Sequence, residues 1–459
     1  MPAHRTFPLQ LVNQVIDELG EAYPYPRGSH DALRACALVS KRWTPRSRMH
    51  MFKKVTIKEP QSQPTMTPPT SILPYIKELE ISHGFGTTKP TFFANILNGF
   101  AVAPIEHLVI TRGALVDERA CIQECINAHS TTLQTVEFRG CSISAYNIAD
   151  IVSEHHNIKG LRLDYCKFER LPPPGRPIIA DTPDPDSRSK AVELELSLSG
   201  GDPEEGPMGI ATMVARLPYR FSRLDVDHAA AGYGTTKATN GLIKANAGVL
   251  SSLRMHIQAG MFGPAGRKTV SLIFIQPEDM EVDIEPEHLF SLEGCSNLSE
   301  LTLDMEHSES CAIQDSIFIL STLDPERSTR VEKIVLEARY VCRWFNKDGP
   351  VSYGKDEDDD EDDEDEDGDK KVNWEGLDTV LSKLAEASIG VRDKRLTFIL
   401  VVLEFPGNKE VMSTMKKWLP KLLPCFNELG LLHVHRGRGS RCRAVDDSCL
   451  SHDKPSCLA

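Results

Sequence analysis

No uninterrupted apolar stretch in the sequence approaches the roughly 18 to 20 residues of a membrane-spanning helix. The longest candidate is the strand-like segment Phe398 to Leu403, so no membrane partner is expected. The N-terminus also lacks the apolar core of a signal peptide before Asp17 and Glu18, which predicts a cytoplasmic and/or nuclear protein. Twelve cysteines are scattered at irregular spacings over 459 residues, too dilute for a disulfide framework, and most are expected reduced and buried. The tail residues Cys442, Cys449, His452 and Cys457 form no paired C-x-x-C knuckle, which argues against zinc. Basic charge is not in excess either. The net charge is -14, but the run Asp356 to Asp369 holds 13 carboxylates, and the remainder is close to neutral. That balance gives no overall basic footprint for direct nucleic-acid binding.

Phosphate loops and catalytic constellations are missing as well. Gly263-Pro-Ala-Gly266-Arg-Lys268 has two residues between its glycines where a phosphate loop needs four, and Arg267 intervenes before the lysine. In Gly84-Phe-Gly86-Thr-Thr-Lys89, Pro90 follows where a helix N-terminus should supply N–H groups. Cys121, Cys125 and His129 share one helix face, for which core packing is the expected role. Spacing brings together no Ser/His/Asp, Cys/His or paired-carboxylate set. The expectation is a non-enzymatic chain with no cofactor and no metal.

What is present begins with helices. Leu11, Val12, Val15, Ile16 and Leu19 recur at helical spacing behind Pro8, which suits a first turn. Tyr23-Pro24-Tyr25-Pro26 breaks that helix, and Asp31 is a plausible N-cap for a second carrying Leu33, Cys36, Val39 and Trp43. Thr44-Pro45 starts a short third helix, and Val55 to Ile57 is strand-like. A module at 1–57 and a proline-rich connector at 58–74 follow from this pattern.

Beyond the connector a triplet L-x-x-L-x-L recurs. The copies are Ile76/Leu79/Ile81, Ile105/Leu108/Ile110, Leu133/Val136/Phe138, Ile158/Leu161/Leu163, Leu250/Leu253/Met255, Leu298/Leu301/Leu303 and Val331/Ile334/Leu336, with Phe221/Leu224/Val226 weaker. The first four start 29, 28 and 25 residues apart, the period of leucine-rich repeats. Cys141 and Cys166 fall three residues after the last apolar position, where such repeats place a small buried side chain that hydrogen-bonds the turn. The regularity fails in the loop-like stretches 171–190 and 200–208. The reading is an α/β fold: a helical module, then an irregular leucine-rich-repeat solenoid at 75–345 with parallel strands and helices outside. An acidic disordered insertion at 350–371 follows. A continuation of the scaffold at 372–435 contains a helix from Trp374, a strand at Leu396 to Leu403 and a helix at Val411 to Leu429. The tail at 436–459 lacks apolar periodicity.

The segment Phe7 to Phe52 resembles an F-box, through Phe7-Pro8, Leu11-Val12, Val15-Ile16, Leu19, Leu33, Cys36 and Val39-Ser40-Lys41-Arg42-Trp43. It departs from the family in opening Phe-Pro-Leu-Gln-Leu rather than Leu-Pro-x-Glu-Leu, and in the longer proline-rich insertion between its first two helices. The resemblance implies a substrate-recognition subunit of an SCF-type ubiquitin ligase, bound to the Skp-family adaptor of a cullin-RING ligase. By that resemblance Pro8, Leu11, Val12, Ile16, Leu19, Val39 and Trp43 form or support the adaptor interface, while Leu33 and Cys36 belong to the module's own core. A unit of some 45 residues buries too little apolar surface to stand alone, which fits a partner-bound role.

If the strands stack in parallel, residues flanking the apolar positions line one face: Glu80, Thr111, Glu137, Arg139, Arg162, Asp164, Thr302 and Asp304. Their mixed charge suggests a protein target. The alternative from another class is a non-catalytic repeat scaffold whose acidic run binds basic proteins such as histones; an F-box protein acting outside the ligase is a third.

Overall fold

The computed structural model describes residues 8–21, 27–58, 69–82, 99–112, 124, 126–144, 148, 151, 157–168, 191–199, 220–227, 233–257, 291–305, 310–324, 330–338, 345, 350, 372–389, 396–403 and 408–437. The fold is mixed α/β, and the chain divides into two compact units, Met1–Tyr219 and Arg220–Ala459. The acidic run, the tail from 438, Cys121, Cys125 and both glycine-rich segments lie outside the described residues. No helix among the described residues is long and apolar enough to cross a membrane.

Unit 1 opens with three helices, α1 (Leu9–Glu21), α2 (Arg27–Val39) and α3 (Thr44–Phe52). Pro8 is placed as its chemistry requires, its carbonyl accepting the N–H groups of Leu11 and Val12 at 3.1 and 3.3 Å. Asp31 lies inside α2, which begins four residues earlier at Arg27, so it does not cap that helix. Val12, Ile16 and Leu33 are buried together, with Leu19, Cys36, Trp43 and Met51 packed against them. The α2–α3 corner is tied by Thr44, whose hydroxyl donates to the Ala37 carbonyl at 2.8 Å and satisfies an end-of-helix acceptor. Asp17 ties α1 to α3: its carboxylate accepts two hydrogen bonds from Arg46 at 2.6 Å and one from His50 at 2.9 Å. Gly20 allows that approach, since a Cβ there would run into the His50 imidazole.

The helices lead directly into β1 (Lys54–Lys58), the first of six parallel strands in this unit. The others are β2 (Glu78–Ser82), β3 (His107–Thr111), β4 (Thr135–Arg139), β6 (Gly160–Asp164) and β8 (Ala191–Ser199). Two short strands, β5 (Ser142–Ile143) and β7 (Lys167–Phe168), pair beside them. Because strand side chains alternate, one register row stacks Val55, Leu79, Leu108, Val136, Leu161 and Leu196; the next stacks Ile57, Ile81, Ile110, Phe138, Leu163 and Leu198. From β2 onward every member of both rows is buried. These rows are the second and third apolar positions of the triplets.

The strand entries repeat as well. One carbonyl accepts two successive N–H groups of the next strand: Lys53 from Lys77 and Glu78, Lys77 from Glu106 and His107, Glu106 from Gln134 and Thr135, Gln134 from Lys159 and Gly160. At the exits, Arg112, Gly140 and Tyr165 all take left-handed backbone, with φ of 59°, 59° and 51°. Glycine adopts this freely; for the arginine and tyrosine it costs about 1 to 2 kcal/mol each. Gly140 and Tyr165 are each followed by a cysteine of the triplet pattern. The Cys141 thiol donates to Ile110 carbonyl and the Cys166 thiol to Phe138 carbonyl, both at 3.3 Å.

Unit 2 holds six more parallel strands, β9 (Arg220–Asp227), β10 (Ser252–Ile257), β11 (Glu300–Met305), β12 (Lys333–Ala338), β13 (Thr397–Leu403) and β14 (Leu432–Gly437). Parallel neighbours need crossovers. Helix α4 (Tyr233–Asn246) lies between β9 and β10, α5 (Ser310–Ser321) between β11 and β12, and α6 (Trp374–Ile389) between β12 and β13. Helices α7 (Asn408–Leu422) and α8 (Pro424–Glu428) connect β13 to β14, broken at Pro424 where a single helix to Leu429 was expected. The apolar row runs Leu224, Leu253, Leu301, Ile334, Phe398 and Leu432. Buried Asn246 closes one corner, accepting from Phe221 N–H and donating to Leu242 carbonyl, each at 2.7 Å.

Candidate functional site

Two surfaces bear on function, one on the helical module and one on the strand faces. Helix α1 carries apolar residues on two sides. Val12, Ile16 and Leu19, spaced i, i+4, i+7, turn into the module's core. Leu11 and Val15, also spaced i, i+4, remain 48% and 55% exposed, next to Leu9 at 47%. At the end of α2, Leu38 and Val39 are 81% and 67% exposed. Leu11 and Val15 thus form an exposed apolar stripe beside the buried one on α1, and Leu38 and Val39 an exposed apolar pair at the end of α2. Only two other large apolar residues among those described are comparably exposed, Val102 and Tyr165.

The seven sequence candidates on this module thus separate. Pro8, Leu11 and Val39 lie on the exposed side; Val12 and Ile16 are buried; Leu19 and Trp43 are half-buried against the core. Leu9, Val15 and Leu38 are exposed as well, although they were not among the adaptor candidates. The signal for Val15 was its i, i+4 spacing from Leu11.

On the strand faces, the residues between the apolar rows point the other way. In unit 1, Thr56, Glu80, Val109, Glu137, Arg162 and Ser197 form one row, and Lys58, Ser82, Thr111, Arg139, Asp164 and Ser199 the next. Six of the eight candidate residues therefore stand side by side on one face. Glu80 accepts from Lys54 at 3.0 Å, Arg139 donates to Glu137 at 2.7 Å, and Arg162 lies 3.9 Å from Glu195. Glu137 is buried, and Glu80, Thr111, Arg139, Arg162 and Asp164 are half-buried. Burial opposes the charge on Arg139, but the Glu137 hydrogen bond and the fields of Glu137, Glu80 and Asp164 outweigh it and raise its pKa.

No family model matches the chain, and no curated protein matches it in sequence.

Thr302 and Asp304 sit differently from the other six. They belong to unit 2, and the structure places both under cover rather than on an open face. The residues of β11 and β12 are buried on both sides of the strands, from Leu301 to Met305 and from Ile334 to Ala338. Asp304 accepts a hydrogen bond from Arg254 at 3.0 Å, and the same guanidinium group reaches Glu337 at 2.6 Å. His256 lies 3.7 Å from Asp304. Burial raises the Glu337 pKa, with Arg254 opposing the shift. This cluster is an internal ion network of the β10–β12 face, which triplet spacing could not reveal. Of the C-x-x-x-C-x-x-x-H set only His129 is described; it is buried, and burial lowers its pKa. Among the described residues no group of three or more His, Cys, Asp or Glu side chains is arranged to hold a metal ion.

Proposed function

We propose that the chain is a non-catalytic receptor subunit of an SCF-type ubiquitin ligase. Its N-terminal helices form an F-box that docks on a Skp-family adaptor, and its strand faces, arranged as an irregular leucine-rich-repeat solenoid, select a protein target. The observation that carries this reading is the exposure of Leu11 and Val15 along α1 and of Leu38 and Val39 at the end of α2, with Leu9 also exposed. In a module whose own core is already filled by Val12, Ile16 and Leu33, a second apolar group has no folding role. Burial against a partner is worth about 25 cal/mol per Å² of apolar surface, which makes such a group a natural helix-in-groove contact.

The repeat reading is supported by the shared register of the apolar rows and by the doubled N–H contacts at successive strand entries. Those strands hold Glu80, Glu137, Arg139, Arg162 and Asp164 in fixed order on one face, a mixed-charge surface fitted to a protein rather than a polyanion. The receptor does no chemistry in this account. It raises the effective concentration of target lysines beside a ubiquitin-charged enzyme supplied by the complex. Co-expression with a Skp-family adaptor should give a complex that survives gel filtration. Arg139→Glu together with Arg162→Glu should keep that complex and lose target recovery; unchanged recovery would remove this face from the account.

A further inference from the structure

The strand β14 forms an edge, for among the described residues it pairs on one side only, with β13. Phe398 N–H donates to the Leu431 carbonyl at 3.0 Å. In a parallel ladder that phase directs His433 and His435 backbone groups at β13 and turns the N–H and C=O of Leu432, Val434 and Arg436 outward. An edge of this kind is a template for another strand. The side chains around it are two histidines and a lysine-bearing helix. His433 is exposed and His435 half-buried, with their rings 6.2 Å apart. On α7, which precedes β14, Lys416, Lys417 and Lys421 are all exposed, and the Lys421 ammonium rests 4.7 Å above the Trp418 ring. Burial first, then His433, Lys416 and Lys333, disfavours the charged form of His435. Of the α7 lysines it is Lys416 that lies close enough to act on His435, together with Lys333 of β12, which also pairs with Glu300 at 2.8 Å.

We propose that the β14 edge binds an acidic, extended segment of a partner protein, which adds as a further strand with its carboxylates facing His433, His435 and Lys416. The outward backbone groups supply the main-chain bonds and the cations select the sign of the guest. The proposal neither uses nor requires the adaptor-and-target reading.

The test uses the full chain and a fluorescein-labelled peptide of alternating Glu and Val, followed by fluorescence anisotropy. Saturable binding should appear at low salt and weaken about tenfold when ionic strength rises from about 50 to about 200 mM. An alternating Lys and Val peptide should not bind. N-methylation of alternate peptide residues, which blocks strand addition without touching the protein, should weaken binding about tenfold, as should Lys416→Glu. No saturable binding, or equal binding of the N-methylated peptide, would overturn the proposal. Deletion of Asp356 to Asp369 is the second arm. Unchanged affinity supports a partner in trans; binding seen only after deletion would give the edge to the chain's own acidic run and overturn the assignment.

Discussion

Arg254→Met is the substitution whose consequence follows most directly from the structure. The guanidinium group bridges Asp304 at 3.0 Å and Glu337 at 2.6 Å, and both carboxylates are buried. Removing one partner of a buried ion pair costs about 3 to 5 kcal/mol, because the remaining charge loses its compensation. The Arg254 side chain is 26% exposed, so water already shares part of the interaction, and about 2 to 3 kcal/mol is the expected loss at neutral pH. Burial already raises the Glu337 pKa above its ordinary value against the pull of Arg254; without the cation it rises further. A carboxyl whose folded-state pKa is raised binds more protons folded than unfolded, so its contribution to stability falls as pH climbs from the unfolded value through the folded one. The deficit of Arg254→Met should therefore shrink on going from about pH 7 to about pH 5. Adding Glu337→Gln should recover part of it at neutral pH. Urea titrations followed by circular dichroism at the two pH values provide the assay. A pH-independent loss below about 1 kcal/mol would refute the reasoning, since it would mean that the network is solvated.

Asp17→Asn probes the α1–α3 tie. Hydrogen bonds from Arg46 and then His50 hold the Asp17 carboxyl at about 2. The contribution is present above the unfolded value near 3.8 and is lost as pH falls through about 2. With exposure discounted, the variant should lose about 1 kcal/mol at neutral pH and flatten the acid limb of the stability curve; an unchanged limb would count against the tie. Thiol chemistry checks the strand corners. Burial raises the pKa of both Cys166 and Cys295, the latter to about 11, and Cys141 is buried as well. Mass spectrometry after native iodoacetamide treatment should show Cys425, which is exposed, modified well before these three, and early labelling of Cys166 would contradict the packed corner. Double charge reversal at Arg139 and Arg162 should abolish target capture while leaving adaptor binding intact, as read by parallel pull-downs.

Much of this architecture was legible because its determinants are local and periodic. All eight triplets form strands, and the two cysteines sit where the turn carbonyls need a donor. Besides the two-residue strands β5 and β7, two of the longer parallel strands escaped. In β8 the alternation Leu194, Leu196, Leu198 has Glu193 where the triplet would lead with an apolar residue, and in β14 the apolar pair Leu432 and Val434 is flanked by histidines. For the candidate sites, periodicity showed that α1 has apolar residues on more than one face. It could not say which face turns inward, and so Val12 and Ile16 were grouped with Leu11. Nor could flanking positions distinguish the half-buried unit 1 face from the covered β11 and β12, because burial on the second face depends on packing far away in sequence.

The central claim concerns the exposed apolar residues of the helical module, and titration of a purified Skp-family adaptor into the full chain by calorimetry tests it most directly. Leu38→Asp and Leu11→Asp change side chains that are 81% and 48% exposed, whereas Ile16→Asp places a charge at a position 1% exposed. The account predicts saturable binding by the intact chain. Leu11→Asp/Leu38→Asp should abolish it with the thermal melt unmoved, and Ile16→Asp should lose the fold of the module. A well-folded intact chain with no heat of binding, or a double variant that binds as tightly as the intact chain, would contradict the receptor reading.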